Sequence, residues 1–202
     1  MLSAIYPVVE GHGEVSAVPI LLRRFAYEIF QNYEIRILEP YRLPKGQMVS
    51  DDRLERVVEF AARKLDPQGG RGAIVVLLDA DTDCPATLGP ELLARVQQAR
   101  PDVPSSVNIA KHEFEAWFLA AAVSLRGASG VSQNADAPPE PENIQDAKGY
   151  LTRNIMEPEA HYSETIDQPR FTAVFDIHQA RSCPSFDKLW RDLDQLFSAN
   201  GV

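Results

Sequence analysis

Ala73-Ile74-Val75-Val76-Leu77-Leu78 is apolar at every position and rich in β-branched side chains. A strand of that composition is buried on both faces, as the central strands of parallel sheets are when helices cover the sheet from both sides. Working outward from it, three more apolar runs read as strands: Ala4 to Val9, Glu34 to Leu43 and Val107 to Ala110. Each run is followed by apolar residues at spacings of three and four, the period of a helix. Val18, Leu21, Leu22, Phe25 and Ile29 predict a helix from Glu14 to about Phe30. Leu54, Val57, Val58, Ala61 and Leu65 predict a second, capped by Ser50 or Asp51, after a loop at Pro44-Lys45-Gly46. Gly69, Gly70 and Gly72 mark the turn into the central strand, and a loop from Cys84 to Pro90 leads into a helix ending near Arg100. Phe114, Trp117, Phe118, Ala121, Ala122 and Leu125 form the stripe of a fourth helix. Strand and helix in alternation predict an α/β fold, a mostly parallel sheet flanked by helices on both faces.

The 202 residues include 20 Lys+Arg against 29 Asp+Glu, a formal charge of −9, with 45% hydrophobic and 24% charged residues. That balance excludes wholesale disorder, a collagen-like repeat and a disulfide scaffold. Cys84 and Cys183 form no CxxC pair, so neither a zinc site nor an oxidised framework is expected. The apolar start meets Glu10 too early for a signal peptide, and the run Trp117 to Val123 is far short of the roughly 20 residues that span a bilayer. The expected location is cytoplasmic, with no membrane contact. Residues 1–125 read as the core, 126–143 as a mobile surface loop rich in Gly, Ser, Asn and Pro, and 144–202 as a helical C-terminal extension packed on that core. Within the extension the expected helices run from Asn143 to Ile155, Pro169 to Ala180 and Ser185 to Ser198.

Three acidic clusters fall where strands end. Glu10 closes the first strand and Glu14 opens the next helix, with Gly11-His12-Gly13 between them. Asp79 closes the central strand, with Asp81 and Asp83 following, while Glu113 and Glu115 follow the fourth. In an open α/β sheet these carboxyl ends share one edge, where ligands bind. Carboxylates about 4 Å apart repel by about 4 kcal/mol at an effective dielectric near 20, so a cation is expected among them. Oxygen donors without a Cys or His cluster select Mg²⁺ or Mn²⁺. Such ions support phosphoryl transfer and phosphodiester hydrolysis. Gly11-His12-Gly13-Glu14-Val15-Ser16 also approaches the dinucleotide fingerprint, but Ser16 replaces its last glycine and Glu10 and Glu14 would repel a pyrophosphate.

Val9-Glu10-Gly11-His12-Gly13-Glu14 and Leu77-Leu78-Asp79-Ala80-Asp81 together resemble the two signature motifs of TOPRIM domains. Lys111-His112-Glu113-Phe114-Glu115-Ala116-Trp117-Phe118 resembles the acidic motif of nucleases of the overcoming-lysogenization-defect class. Arg181-Ser182-Cys183-Pro184-Ser185-Phe186 resembles the ending of small stand-alone TOPRIM proteins. The resemblance implies a TOPRIM-like, Rossmann-like fold and a metal-dependent nuclease of DNA or RNA, with phage defence as its setting. It implies Glu10 as metal ligand or general acid/base, Glu14, Asp79 and Asp81 as metal ligands, and Glu113 or Glu115 at a second metal. Asp83 joins this set by its spacing. The class also uses a lysine near the scissile phosphate, for which Lys148 and Lys111 are the candidates, while His12 and Arg181 are candidates for substrate contact.

No tyrosine sits near a winged-helix pattern and no GxxxxGK[ST] segment is present, so neither a topoisomerase nor a fused ATPase is expected in this chain. A separate ATPase partner follows by analogy alone. Two alternatives stand beside the nuclease: a non-catalytic regulatory subunit of an ATPase complex, and an enzyme acting on free nucleotides. Homo-oligomerisation is left open.

Overall fold

A computed structural model describes residues 2–65 and 71–198, so Gly69 and Gly70 of the expected glycine turn lie outside the described residues. The first strand, β1 (Ala4–Val9), has the expected bounds and is buried throughout. α1 (His12–Arg24) follows after two residues and widens into a π-helical turn over Phe25–Ile29 instead of running on regularly. It starts before Glu14 because that side chain reaches back: Glu10 N and Gly11 N donate to Glu14 Oε2 at 2.9 and 2.8 Å. Two of the free N–H groups ahead of the helix are thereby satisfied.

The expected strand from Glu34 to Leu43 is two short ones, β2 (Arg36–Ile37) and β3 (Tyr41–Arg42), both parallel to β1 on the same side. Pro40 between them has no N–H to give to a ladder, which explains the interruption. The expected loop at Lys45 and Gly46 is the start of a helix, α2 (Lys45–Ser50), which opens directly after Pro44. Ser50 is therefore the last residue of α2 and Asp51 closes it, so neither caps α3 (Arg53–Leu65). The predicted stripe of α3 is buried as read.

β4 (Gly72–Asp79) is the central strand. α4 (Pro85–Ala99) begins immediately after Cys84, where a loop was expected as far as Pro90. Pro85 stands at the first helical position, where its fixed φ suits the helix and its missing N–H costs nothing. β5 (Ser105–Ala110) is two residues longer than expected, and the helix after it is divided into α5 (Ala116–Ala120) and a 3₁₀ turn over Ala122–Leu125. The segment 126–143 is irregular up to a 3₁₀ turn over Pro141–Asn143; Val131 bridges Met156, and Arg126 Nε donates to the carbonyl of buried Ala135 at 2.7 Å. The remaining helices are α6 (Ala147–Tyr150), continued by a π turn over Leu151–Ile155, then α7 (Glu164–Val174) and α8 (Pro184–Ser198). α7 starts five residues before the expected Pro169.

All strands are parallel, in the order β2 and β3, then β1, β4 and β5. Side chains alternate between the two faces. Ile5, Val9, Val75 and Leu77 pack with α1, α5, α7 and α8, while Tyr6, Val8, Ile74, Val76 and Leu78 pack with α3 and α4. The first of these cores holds Phe25, Phe114, Trp117, Phe118, Phe171, Phe175 and Phe186, all fully buried. Each contributes roughly 2–3 kcal/mol by burial. α8 covers the β5 edge, where Lys188 Nζ donates to the carbonyl of Val107 at 2.9 Å. No helix among the described residues is long and apolar enough to cross a membrane. Because connections from β1 and β4 leave toward opposite faces, the crevice above their carboxyl ends is the topological switch point of the sheet.

Candidate functional site

The acids at that crevice are linked across the strands. Glu10, just past β1, accepts through Oε2 from the backbone N–H of Asp79 at 3.2 Å. Asp79, at the end of β4, accepts through Oδ1 from Phe114 N at 2.8 Å. Beyond β5, Glu113 accepts through Oε2 from Lys148 N at 3.0 Å. Glu115 accepts through Oε1 from the Tyr162 hydroxyl at 2.8 Å and from Gln168 Nε2 at 3.3 Å. Glu14 spends Oε2 on the two backbone donors ahead of α1. Each carboxylate is thus held in orientation by a donor on one oxygen. Glu115 is completely buried, and its other oxygen, Oε2, has no hydrogen-bond partner.

Two lysines offset this charge. Lys148 Nζ stands 3.6 Å from Glu115 Oε2, 3.7 Å from Glu164 Oε2 and 3.9 Å from Glu113 Oε1. Lys45 Nζ donates to the carbonyl of Ala80 and lies 2.9 Å from Asp81 Oδ2 and 3.0 Å from Asp83 Oδ2. The acidic run after β4 is therefore divided: Asp79 joins the buried group, whereas Asp81 and Asp83 are exposed and paired with Lys45. Asp81 and His112 both hold left-handed backbone, at φ +50° and +60°. They lock each other there, Asp81 N donating to His112 O at 3.0 Å while His112 Nδ1 lies 2.6 Å from Asp81 O. Non-glycine residues in that conformation store about 1 kcal/mol or more each, which the paired loops hold in place.

Burial raises the carboxyls of Glu14 and Glu115 to about 7, with repulsion from Glu10 and Glu115 adding at Glu14 and from Glu113 at Glu115. Burial, then Glu14 and Glu115, hold Asp79 well above the usual carboxylate range. Glu10 is raised by burial, against the lowering effect of the Asp79 N–H. Burial alone would lower Lys148, but Glu115, Asp79, Glu113 and Glu164 outweigh it and hold the ammonium above its ordinary value. Among the described residues no three His, Cys, Asp or Glu side chains stand ready to hold an ion as they are placed. The donor set still suits a hard divalent cation: its ligand atoms are carboxylate oxygens, and one of them is buried without a donor.

The other sequence candidates are placed differently. Lys111 Nζ donates to Asn143 Oδ1 at 2.6 Å, beside a cleft of about 210 Å³ that it shares with Pro139, Glu142 and Cys183. His12 is exposed at the first turn of α1. Arg181 bonds Asp187 at 2.7 Å and lies over the Trp190 ring, with no ion pair to the cluster. A cleft of about 540 Å³ between α3 and α4, bordered by Glu55, Phe60 and Arg95, takes in none of these acids. Sequence reasoning missed Lys45, Tyr162, Glu164 and Gln168. Ser163 followed by Glu164 and Asp167 marks a helix start, but nothing in the local sequence of Tyr162, Glu164 or Gln168 points to the acids at the strand ends.

The family described as "Domain of unknown function (DUF4276)" matches residues 9–194. No curated protein matches the chain. Among solved structures, the C-terminal region of the Xanthomonas campestris pv. campestris OLD protein is similar over 98% of this chain and 95% of that one, at 14% identity and a TM-score of 0.38.

Proposed function

Since the chain belongs to the DUF4276 family, whose description assigns no activity, we propose from its own residues that it is a Mg²⁺- or Mn²⁺-dependent phosphodiesterase that cleaves nucleic acid. One observation carries this: acids from the ends of β1, β4 and β5 meet at the switch point of a parallel sheet with two lysines beside them. Carboxylates alone would repel a phosphate, and lysines alone would bind one without activating water. Together they provide both halves of phosphodiester hydrolysis.

Asp79, Glu14 and Glu115 are the residues that would hold an ion, because burial raises all three and a divalent charge would keep them ionised. When bound, such an ion supplies Lewis acidity toward the phosphate and a water of lowered pKa. Glu10 is less buried and fixed through one oxygen by Asp79 N, which suits it to take the proton of the attacking water. Lys45 and Lys148 each act on Glu10 by charge, and they would offset the phosphate as negative charge builds on it. The left-handed pair Asp81 and His112 fixes the loops that border the crevice.

The test is cleavage of single- and double-stranded DNA and RNA with Mg²⁺ or Mn²⁺ by wild type, Asp79→Ala and Glu10→Ala. Loss of at least a hundredfold in both variants is expected. Equal activity in all three proteins would overturn the assignment, and cleavage that requires an added ATPase would favour the regulatory-subunit alternative.

A further inference from the structure

Between Ile5 and Val8 β1 advances three residues, whereas its edge partners advance four, from Ile37 in β2 to Tyr41 in β3. Leu38 N still donates to the Ile5 carbonyl and Leu43 N to that of Val9, so the extra residue is taken up in a bulge between them. Bulges at sheet edges re-aim side chains. This one opens a cleft of about 390 Å³ bordered by Tyr6, Glu39, Pro40, Tyr41, Phe60 and Lys64. Phe60 stands edge-on to Tyr6 and tilted to Tyr41, with 6.2 Å between ring centroids in both pairs. Phe60 and Tyr41 are nevertheless 43% and 40% exposed, so two aromatic rings meet solvent at one place. Lys64 Nζ lies 5.4 Å from the Phe60 ring centroid and forms no ion pair among the described residues.

Resting on the nucleic-acid-cleaving reading above, we propose that this edge cleft holds an unpaired base of a single-stranded substrate whose backbone runs on into the crevice. A base in a duplex is stacked on both faces, so only an unpaired one can lie against Tyr41 and Phe60. Lys64 stands beside the rings for the phosphate of that nucleotide, and Glu39 gives the cleft an acceptor for an exocyclic amine, as carboxylates accept from cytosine. The cleft and the crevice are joined by one short segment. Tyr41 is in register with Val8, two residues before Glu10 and so about 7 Å away along the strand. Arg42, exposed, is level with Val9, and Lys45 already reaches Asp81. A chain of formal charge −9 cannot gather a strand by bulk attraction, and stacking supplies what charge does not. The bulge and Pro40, which has no N–H, also make this edge a poor template for an added peptide strand.

The test follows the fluorescence anisotropy of a labelled mixed-sequence oligodeoxynucleotide, and of the matching duplex, on adding the full chain in EDTA so that nothing is cut. Wild type is compared with Tyr41→Ala and Phe60→Leu, each checked by thermal melting. The single strand should bind more tightly than the duplex, and each substitution should weaken single-strand binding at least tenfold. The same strand carrying 5-iodouracil, irradiated with wild type, should crosslink to Tyr41 or Phe60 in peptides identified by mass spectrometry. Single-strand affinity equal in wild type and both variants, or no crosslink at either ring, would overturn the base cleft. Cleavage in Mg²⁺ that Asp79→Ala abolishes would then leave the nuclease reading standing. No binding of either probe, with no cleavage of either in Mg²⁺ or Mn²⁺, would overturn both.

Discussion

Metal-free protein should lose stability as pH rises from about 5 to 8, the reverse of what paired surface carboxylates produce. Glu115 has an ordinary value of 4.5 and is raised by burial to about 7 in the fold. Between those values the folded state keeps a proton that the unfolded state has released, so stability falls with pH through this window. The difference corresponds to about 3 kcal/mol for this one group. Glu14, also raised to about 7, and Asp79 act in the same direction, but the group titrates as a coupled set and their effects do not add. Acids held low by arginine, such as Glu55 beside Arg95 and Asp187 beside Arg181, complete their opposite contribution below the window. Urea denaturation in EDTA at pH 5.5 and 8.0 measures the fall, and Glu115→Gln should remove about 2 kcal/mol of it, the rest of the loss lying below pH 5.5. Saturating Mn²⁺ should restore stability mainly at pH 8.0. A flat or rising profile in wild type, or the same slope in Glu115→Gln, would refute the account of a buried, cation-seeking cluster.

Tyr162→Phe removes the hydroxyl that orients Glu115 and should cost about 1.5–3 kcal/mol in urea unfolding at pH 8, more than at pH 5.5. Gly13→Ala places a methyl 2.3 Å from Gln168 Oε1 and 2.9 Å from the Glu164 carbonyl, so it should lower stability by about 1–3 kcal/mol and weaken Mn²⁺ binding in calorimetry. Lys45→Met frees Asp81 and Asp83 from their shared partner and should reduce cleavage at least tenfold while the melting temperature moves by a few degrees.

The sheet was legible where burial was complete. Ala4–Val9 and Ala73–Leu78 are apolar without interruption, a pattern that a parallel strand between two helical layers imposes directly. The edge was not legible, because Arg36–Ile37 and Tyr41–Arg42 are too short to show a period and Pro40 divides them. Proline and glycine content places Lys45 and Pro85 in loops, whereas α2 opens directly after Pro44 and Pro85 is itself the first residue of α4, a position that suits proline. The acids at the strand ends could be found because the fold class itself says where the carboxyl edge lies. The mutual repulsion of those acids was also legible, and Lys148 and Lys45 offset part of it within the chain itself. Lys148 was singled out by resemblance and Lys45 was not singled out at all. Tyr162, Glu164 and Gln168 reach the site through the packing of α7 on α1, a contact between distant parts of the chain that no local pattern encodes.

The hydrogen bond from Gly13 to Glu164 joins residues 151 positions apart. On a ribosome, every strand of the sheet has been made once Ala110 is added, yet Lys148, Tyr162, Glu164 and Gln168 are still to come. Until they arrive, Glu115 has neither its orienting hydroxyl nor its neutralising ammonium, and Glu14 and Asp79 lie open to water instead of buried. Vectorial synthesis therefore finishes the strands first and the surroundings of the acids last. Closing so long a loop is slow compared with local helix formation, so the acids at the strand ends wait for their hydroxyl and ammonium partners until the C-terminal helices have docked.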